Sequence, residues 1–285
     1  MAEIIDGKEV SKKLLFELKI EAEKLYEEHE IKPGLAVVLV GTDPASEIYV
    51  KRKRQTCIKL GYYSEDYDLS EQTTEADLLK LLDDLNSEPS IHGILVQLPL
   101  PKHINEKKVL EFIDPRKDVD GFHPANQALL FLGTSKTEPC TPAGIIELLK
   151  RYNIQIEGKH AVVVGRSNIV GKPLSLMLLK ENATVTICHS KTQHLGEITK
   201  TADILVAAIG KAQFIKADMV KDGAVVIDVG MNRLEDGKLV GDVDYENVFE
   251  KAQAITPVPG GVGPMTIAML MKNTMQAAKT IKGIK

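Results

Sequence analysis

The chain has no tryptophan and three cysteines in 285 residues, Cys57, Cys140 and Cys188. They are scattered, odd in number and lack C-x-x-C spacing, which argues against a disulfide framework and against structural zinc and points to a reducing compartment. No apolar run approaches the ~20 residues that a membrane-spanning helix needs. The N-terminus reads Met-Ala-Glu-Ile-Ile-Asp, with neither an apolar signal core nor an Arg- and Ser-rich transit segment. A cytoplasmic protein without membrane association is therefore expected. A basic excess is missing too: the formal net charge of -4 argues against a nucleic-acid partner. Fixed-period repeats and low-complexity tracts are absent.

What is present is an ordinary globular composition, 44% hydrophobic and 27% charged, enough for one large or two medium domains with full cores. Val10, Leu14, Leu15, Leu18, Ala22 and Leu25 recur at helical spacing, which predicts a helix over roughly 8–30. GLAVVLVG (34–41) is a continuous apolar run of strand length, suited to a buried parallel strand. A helix over about 45–60, a strand near 62–68, a helix over 74–86 and the strand IHGILVQ (91–97) complete a β-α-β-α-β series. Residues 98–140 are rich in proline and turns, as loops at the carboxyl edge of an open sheet would be. A helix near 142–152 leads into a second alternation, with strands at 160–165, 183–188, 203–208 and 223–229 and helices at 170–181 and 192–200. A last helix covers about 264–281. The expected architecture is two open α/β domains with a cleft between them, the second Rossmann-like. The first covers 1–140, completed by a C-terminal helix at 268–285; the second covers 141–267.

AVVVGRSNIVG (161–171) has the layout of a phosphate-binding strand–turn–helix, yet it departs from G-x-G-x-x-G. Gly165 can make the turn and Gly171 falls near the helix start, but Ser167 and Val170 stand where the other glycines belong. A plain strand-to-helix turn remains the alternative. The next strand, ATVTIC (183–188), ends in His189-Ser190-Lys191-Thr192, with no acid at its tip to accept from a ribose hydroxyl. A hydroxyl, an imidazole and the nearby Arg166 and Lys191 favour a 2′-phosphate, so NADP is expected over NAD if a dinucleotide binds.

In SEIYVKRK (46–53), Tyr49 and Lys53 are four apart and share a helix face, with Ser46 close to the same face. Y-x-x-x-K is also the catalytic pair of short-chain dehydrogenases. There it follows the nucleotide-binding turn; here it precedes that turn by more than 100 residues, so the likeness is accidental. Taken alone, Lys51 to Arg54 read as a solvated face. Gln97 at a strand's carboxyl end and the loop KDVDGFHP (117–124), with Asp118 and Asp120, bring further polar groups to the same sheet edge. Each has a structural reading of its own: Gln97 closing a strand, Asp120 capping a turn before Gly121.

The ordered set SEIYVKRK, GILVQLPLP, KDVDGFHP, CTPAGIIELL, VVVGRSNIVGKP, ATVTICHSKT, ADILVAAIGK, GAVVIDVGMN and TPVPGGVGPMT resembles bifunctional methylenetetrahydrofolate dehydrogenase/cyclohydrolase over essentially the whole chain. The resemblance implies oxidation of 5,10-methylenetetrahydrofolate with NADP and hydrolysis of the methenyl product to 10-formyltetrahydrofolate, in one-carbon metabolism that serves purine biosynthesis. It implies that Lys53 is central to catalysis, with Gln97 as its hydrogen-bond partner. Tyr49 packs on the folate and Asp120 holds the pterin, the folate set being completed by Ser46, Leu98, Pro259 and Gly260. Arg166 and Ser190 bind the 2′-phosphate, and Gly165, Ser167, Ile169, His189, Ile209, Gly210, Gly230 and Thr266 line the cofactor. No metal site is expected. A homodimer through the second domain is implied as well. One departure stands out: the family usually continues Asn-x-Gly-Arg/Lys-Leu after DVDGFHP, whereas here Ala128 and Leu129 replace the glycine and the basic residue. That puts the local loop-to-helix geometry in question.

Hydride transfer needs no protein base, because the folate nitrogens push the electrons. Hydrolysis needs a proton moved from water to the leaving nitrogen. A lysine neutral part of the time can move it; desolvation and cationic neighbours, Arg52 and Arg54 among them, favour that form. The alternatives are a monofunctional or NAD-using dehydrogenase, disfavoured by Lys53, Gln97, Asp120, Arg166 and Ser190, and a non-catalytic dinucleotide sensor.

Overall fold

The computed structural model of the protein describes residues 2–42 and 44–284, apart from the side chains of residues 44–46 and 48. Ser46, expected in the folate set, thus lies outside the described residues.

The chain opens with β1 (Glu3–Ile4) and α1 (Gly7–His29). It then alternates β2 (Gly34–Val40), α2 (Pro44–Leu60), β3 (Tyr63–Leu69), α3 (Glu75–Ser87) and β4 (Gly93–Val96). Two short helices follow, α4 (Glu106–Phe112) and α5 (Pro124–Phe131), and then α6 (Cys140–Arg151). The second alternation runs β5 (His160–Val164), α7 (Gly171–Lys180), β6 (Thr184–Cys188), α8 (Leu195–Thr199), β7 (Ile204–Ala207), a 3-10 turn at Ala217–Met219 and β8 (Val225–Asp228). It closes with β9 (Asn232–Arg233), β10 (Leu239–Val240), α9 (Tyr245–Phe249), β11 (Ala254–Ile255) and α10 (Val262–Ile281). Both expected α/β alternations are borne out. The chain folds as two compact units. One holds Lys13–Cys140 and the chain from Ile267 onward; the other holds the chain up to Lys12 and Thr141–Thr266.

The Lys13–Cys140 unit carries a parallel sheet in the order β3-β2-β4. Every residue of β2 is buried, as an apolar run covered on both faces requires. On α3, Leu78, Leu82 and Leu85 form one buried stripe against Ala36, Val38, Ile94 and Val96, each leucine contributing about 1.5–3 kcal/mol by leaving water. Thr74 caps the start of this helix by accepting from the Asp77 N–H, and buried Lys117 closes its end by donating Nζ to the carbonyls of Leu85 and Glu88. From α10, Tyr62 Oη finds the Met271 carbonyl as acceptor at 3.2 Å, which ties the C-terminal helix into this unit.

The other unit is built on a six-stranded sheet, β1-β11-β8-β7-β5-β6, with every pairing parallel. Its core gathers Val162, Val164, Leu205, Val226, Ile255 and their neighbours. The first residues of the chain, expected in the other domain, supply its edge: Glu3 and Ile4 pair with Ala254 and Ile255. Those two-residue strands and the β9–β10 hairpin leave too short a pattern to stand out from the surrounding loops.

The departure at Ala128 and Leu129 falls on the exposed face of a regular helix. His123 caps α5 by accepting from the Ala125 N–H, and Pro124 occupies its first position, so neither substitution disturbs the loop-to-helix geometry.

Candidate active site

Parallel strands joined by crossover helices bring the carboxyl ends of β2 and β4 to one edge of their sheet, where Lys53, Gln97 and Asp120, expected on the folate side, come together. Helix α2 carries Tyr49 and Lys53, one turn apart. Lys53 is only 7% exposed, and its Nζ donates to Gln97 Oε1 at 3.0 Å. Gln97 follows β4 directly; its backbone N–H donates to Val38 O, continuing the ladder. Its side-chain Nε2 donates to the Leu98 carbonyl at 2.7 Å, which turns Oε1 toward the lysine. The lysine is thereby held by a neutral acceptor. Asp120 is half-buried, and burial raises its carboxyl above the ordinary carboxylate value; the Lys53 charge opposes the shift and Asp118 adds to it. Tyr49 is half-buried, its phenol raised by burial against the opposing charge of Arg52.

Arg54 does not serve as a cationic neighbour of Lys53 in the way expected. Its guanidinium is spent on β3, with Nε 2.8 Å from Asp66 Oδ1 and Nη2 2.5 Å from Asp68 Oδ1. Asp118 is a loop organiser: its carboxylate accepts from the N–H groups of Gly121, Phe122 and His123 and from Asn126 Nδ2. Two further residues hold the Asp120 loop. Asn273, on α10, donates to the carbonyls of Val119 and Glu138 at 2.8 and 2.9 Å, and the Cys140 thiol donates to Val119 O at 3.3 Å. Burial, then the Asp120 charge, pushes Cys140 well above the ordinary thiol range, so it is an inert packing group. Nothing local in the sequence marks Asn273, whose partners lie more than 130 residues away.

In the six-stranded unit, β5 is followed by Gly165, whose φ of +138° only glycine adopts readily. A Cβ there would sit 2.2 Å from the Ala208 carbonyl oxygen, and one on Gly171 would sit 2.2 Å from Gly165 O. The turn is therefore as tight as a dinucleotide turn. Ser167 explains the missing middle glycine: its Oγ accepts from the N–H groups of Val170 and Gly171, satisfying the start of α7 from within the chain. Arg166, Ser167, Ile169 and Ser190 are exposed, and Arg166 makes no ion pair with a described carboxylate. His189 organises the turn after β6: its N–H donates to Thr192 Oγ1, and its Nδ1 accepts from the Lys191 N–H. Ile209 and Gly210 follow β7, and Gly210 has open space where a Cβ would stand. Gly230 follows β8, where a Cβ would clash with Asp242 Oδ1 at 2.2 Å, so packing alone demands that glycine. Thr266 shares a hydrogen bond with Thr141. Pro259 and Gly260, expected on the folate side, belong to this unit, in the turn before α10. A glycine-lined carboxyl edge with an exposed guanidinium that pairs with no carboxylate among the described residues fits a phosphorylated dinucleotide.

The family models for tetrahydrofolate dehydrogenase/cyclohydrolase match both parts of the chain: the catalytic domain over residues 5–120 and the NAD(P)-binding domain over residues 139–282. The chain is 56% identical over 278 residues to the bifunctional protein FolD of Streptococcus mutans, covering 98% of each. Its fold superposes on the crystal structure of the bifunctional FolD enzyme of Campylobacter jejuni with a TM-score of 0.96 at 51% identity, covering 99% of this chain and 100% of that one. It also matches the Trypanosoma brucei methylenetetrahydrofolate dehydrogenase-cyclohydrolase complexed with NADP and an inhibitor, with a TM-score of 0.95 at 37% identity and coverage of 99% and 98%. The chain belongs to the tetrahydrofolate dehydrogenase/cyclohydrolase family.

Proposed function

We propose that the protein oxidises 5,10-methylenetetrahydrofolate to the 5,10-methenyl form with NADP and hydrolyses that product to 10-formyltetrahydrofolate. The observation that carries this reading is the buried lysine held by a neutral amide, Lys53 Nζ to Gln97 Oε1 at 3.0 Å, beside Asp120. Bound NADP supplies the hydride acceptor. For that step the chain's residues position rather than react: Tyr49 offers an aromatic face to the folate, and Asp120 accepts from the pterin amino groups. Leu98 completes the folate surface of the Lys13–Cys140 unit. In hydrolysis, water adds to the methenyl carbon and loses a proton; the bond from that carbon to N5 then breaks, leaving the formyl group on N10 and a proton on N5. Lys53 relays the proton between the two, and Gln97 holds its Nζ in place for both transfers.

Lys53→Met is expected to lower cyclohydrolase activity by about 100-fold or more, the range lost with a general acid–base group. Following the methenyl species spectrophotometrically shows it: the intermediate accumulates in the variant and decays in the wild type. A wild-type rate of decay would refute the assignment of Lys53.

On the cofactor side, Arg166 and Ser190 bind the 2′-phosphate, while Gly165, Ser167, Ile169, His189, Ile209, Gly210, Gly230 and Thr266 surround the remainder. The exposed guanidinium, paired with no carboxylate among the described residues, and the absence of an acid directly after β6 support NADP over NAD. Arg166→Ala should raise the KM for NADP about tenfold or more while leaving that for NAD near its wild-type value, the loss of one charge-assisted contact. An unchanged ratio of NADP to NAD turnover would count against this pairing.

The protein also acts as a homodimer in the cytoplasm, joined through the six-stranded unit. Strand β6 lies at that sheet's edge with Ile187 43% exposed, an edge that a second copy would cover. Gel filtration with light scattering measures the mass. Among the described residues no helix is long and apolar enough to cross a membrane.

A further inference from the structure

One buried carboxylate in the six-stranded unit takes no part in the chemistry above, yet it gathers an unusual set of donors. Asp242 is fully buried; its Oδ2 accepts from the N–H groups of Ile209 and Gly210 at 2.7 and 3.0 Å. Its Oδ1 accepts from the Lys211 N–H at 2.8 Å and from Asn232 Nδ2 at 3.0 Å. Successive N–H groups of an extended chain point in alternate directions, so three in a row meet one anion only where the backbone curls around it. Gly210, with φ of +64°, supplies that curl.

The carboxylate is itself anchored. The Asp242 N–H donates to Asp228 Oδ1 at 2.8 Å, and Asp228 also accepts from Gly230 N–H and Val243 N–H, both at 2.9 Å. The Asp228 N–H in turn donates to Thr256 Oγ1. Among the described residues no lysine or arginine pairs with either acid; amides carry both. Glycines make room for the pair, since a Cβ on Gly241 would lie 1.8 Å from Asp228 Oδ2. The amides that Asp242 holds, Ile209 to Lys211, follow β7, and Asp228 ends β8, so the pair sits at the carboxyl edge of these strands, where open α/β sheets bind ligands.

We infer that Asp242 is a positioning residue for the dinucleotide site, one that sets the backbone course of Ile209, Gly210 and Lys211 and so the affinity for NADP. The inference rests on the reading that Ile209 and Gly210 line the cofactor. Asp242→Asn keeps the shape of the side chain but places an NH2 where two donors converge, so one donor pair is lost whichever way the amide turns.

Three readouts on the purified full chain test this. The Kd for NADP, titrated by calorimetry without folate, should rise about 10- to 100-fold, as loss of hydrogen bonds to a charged group implies. Hydrogen–deuterium exchange at the amides of 209–211 should quicken in the cofactor-free variant. The cyclohydrolase kcat and the KM for methylenetetrahydrofolate should stay at wild-type values; a general structural defect would instead lower every activity together with the folded fraction. Faster exchange with an unchanged NADP Kd would overturn the inference. If Asp242→Asn fails to fold, Asn232→Ala removes one donor from the same carboxylate and should raise the NADP Kd by a smaller factor; no change would again overturn it. Gly210→Asn separates the underlying reading, because asparagine tolerates the left-handed backbone and its side chain projects into open space. Weaker NADP binding in Gly210→Asn places this segment against the cofactor, whereas unchanged binding removes that reading and the inference with it.

Discussion

At the scale of single residues, the proposed site rests on side chains that fix one another in place. Lys53 is restrained by an uncharged amide, and the orientation of that amide is set in turn by the Leu98 carbonyl. The choice of glutamine has a chemical consequence: a carboxylate in its place would keep the proton on the amine. Gln97→Glu should therefore lower cyclohydrolase kcat about 10- to 100-fold near neutral pH, with activity recovering toward alkaline pH. A pH–rate profile of the variant against the wild type checks this, and identical profiles would separate Gln97 from the proton relay. The pairing of Lys53 with Gln97 was legible in sequence because the resemblance names both. Arg54 shows the limit of reading neighbours along the chain: it adjoins Lys53 in sequence but points its charge to Asp66 and Asp68 on β3.

At the scale of elements, turns carry the site and glycines decide whether they form. The turn from β5 to α7 departs from the dinucleotide fingerprint because Ser167 satisfies the helix start, a role the spacing alone did not disclose. Gly165 is the more demanding position, with both a positive φ and the Ala208 carbonyl in the way of any side chain. Gly165→Ala should cost about 2–4 kcal/mol through strain and overpacking, lower the melting temperature of the six-stranded unit and weaken NADP binding. Calorimetry with and without NADP measures both; an unshifted melting transition would show that the turn relaxes freely. The loop that bears Asp120 is organised by Asp118 from within and by Asn273 from α10. The first of these stands inside the D-V-D-G motif, while the second comes from a helix distant in sequence.

At the scale of the whole molecule, the two units should answer pH in opposite directions. In the Lys13–Cys140 unit, His92 is 2% exposed, and burial with the charges of Lys282 and Lys117 lowers it from 6.5 to about 4. Its neutral Nδ1 accepts from the Gly34 N–H at 3.0 Å. Because the folded value lies below the unfolded one, its stabilisation is present above pH 6.5 and is lost as pH falls toward about 4, by up to ~3 kcal/mol. In the other unit, Asp228 is raised by burial from 3.8 to about 7, with the nearby Asp242 charge adding to the shift against three amide hydrogen bonds. Its folded value lies above the unfolded one, so its stabilisation is full below pH 3.8 and is lost as pH rises through about 7, by up to ~4 kcal/mol. Thermal scans from pH 4 to 8 on the wild type, His92→Gln and Asp228→Asn isolate each contribution. The first variant should lose part of the acid limb and the second part of the alkaline limb; slopes matching the wild type would refute the corresponding assignment.

Much of this was settled by the sequence alone. The alternation of apolar strand-length runs with helical stripes determined two parallel α/β units, because hydrophobic periodicity is a local property that burial then enforces. Motif residues at fixed offsets determined the family, and with it Lys53, Gln97, Asp120, Arg166 and Ser190 as the residues of the expected site. Tertiary structure alone decided the rest. Two-residue strands such as β1 and β11 have too little local pattern to be recognised; β11 forms between β8 and β1, and β1 forms only by adding to β11 across some 250 residues. Asn273 beside Val119, and Asp242 beneath Ile209 to Lys211, are likewise side-chain to backbone meetings. Any buried acid or amide in an apolar segment must find such donors or acceptors, but only the folded chain determines which backbone will supply them.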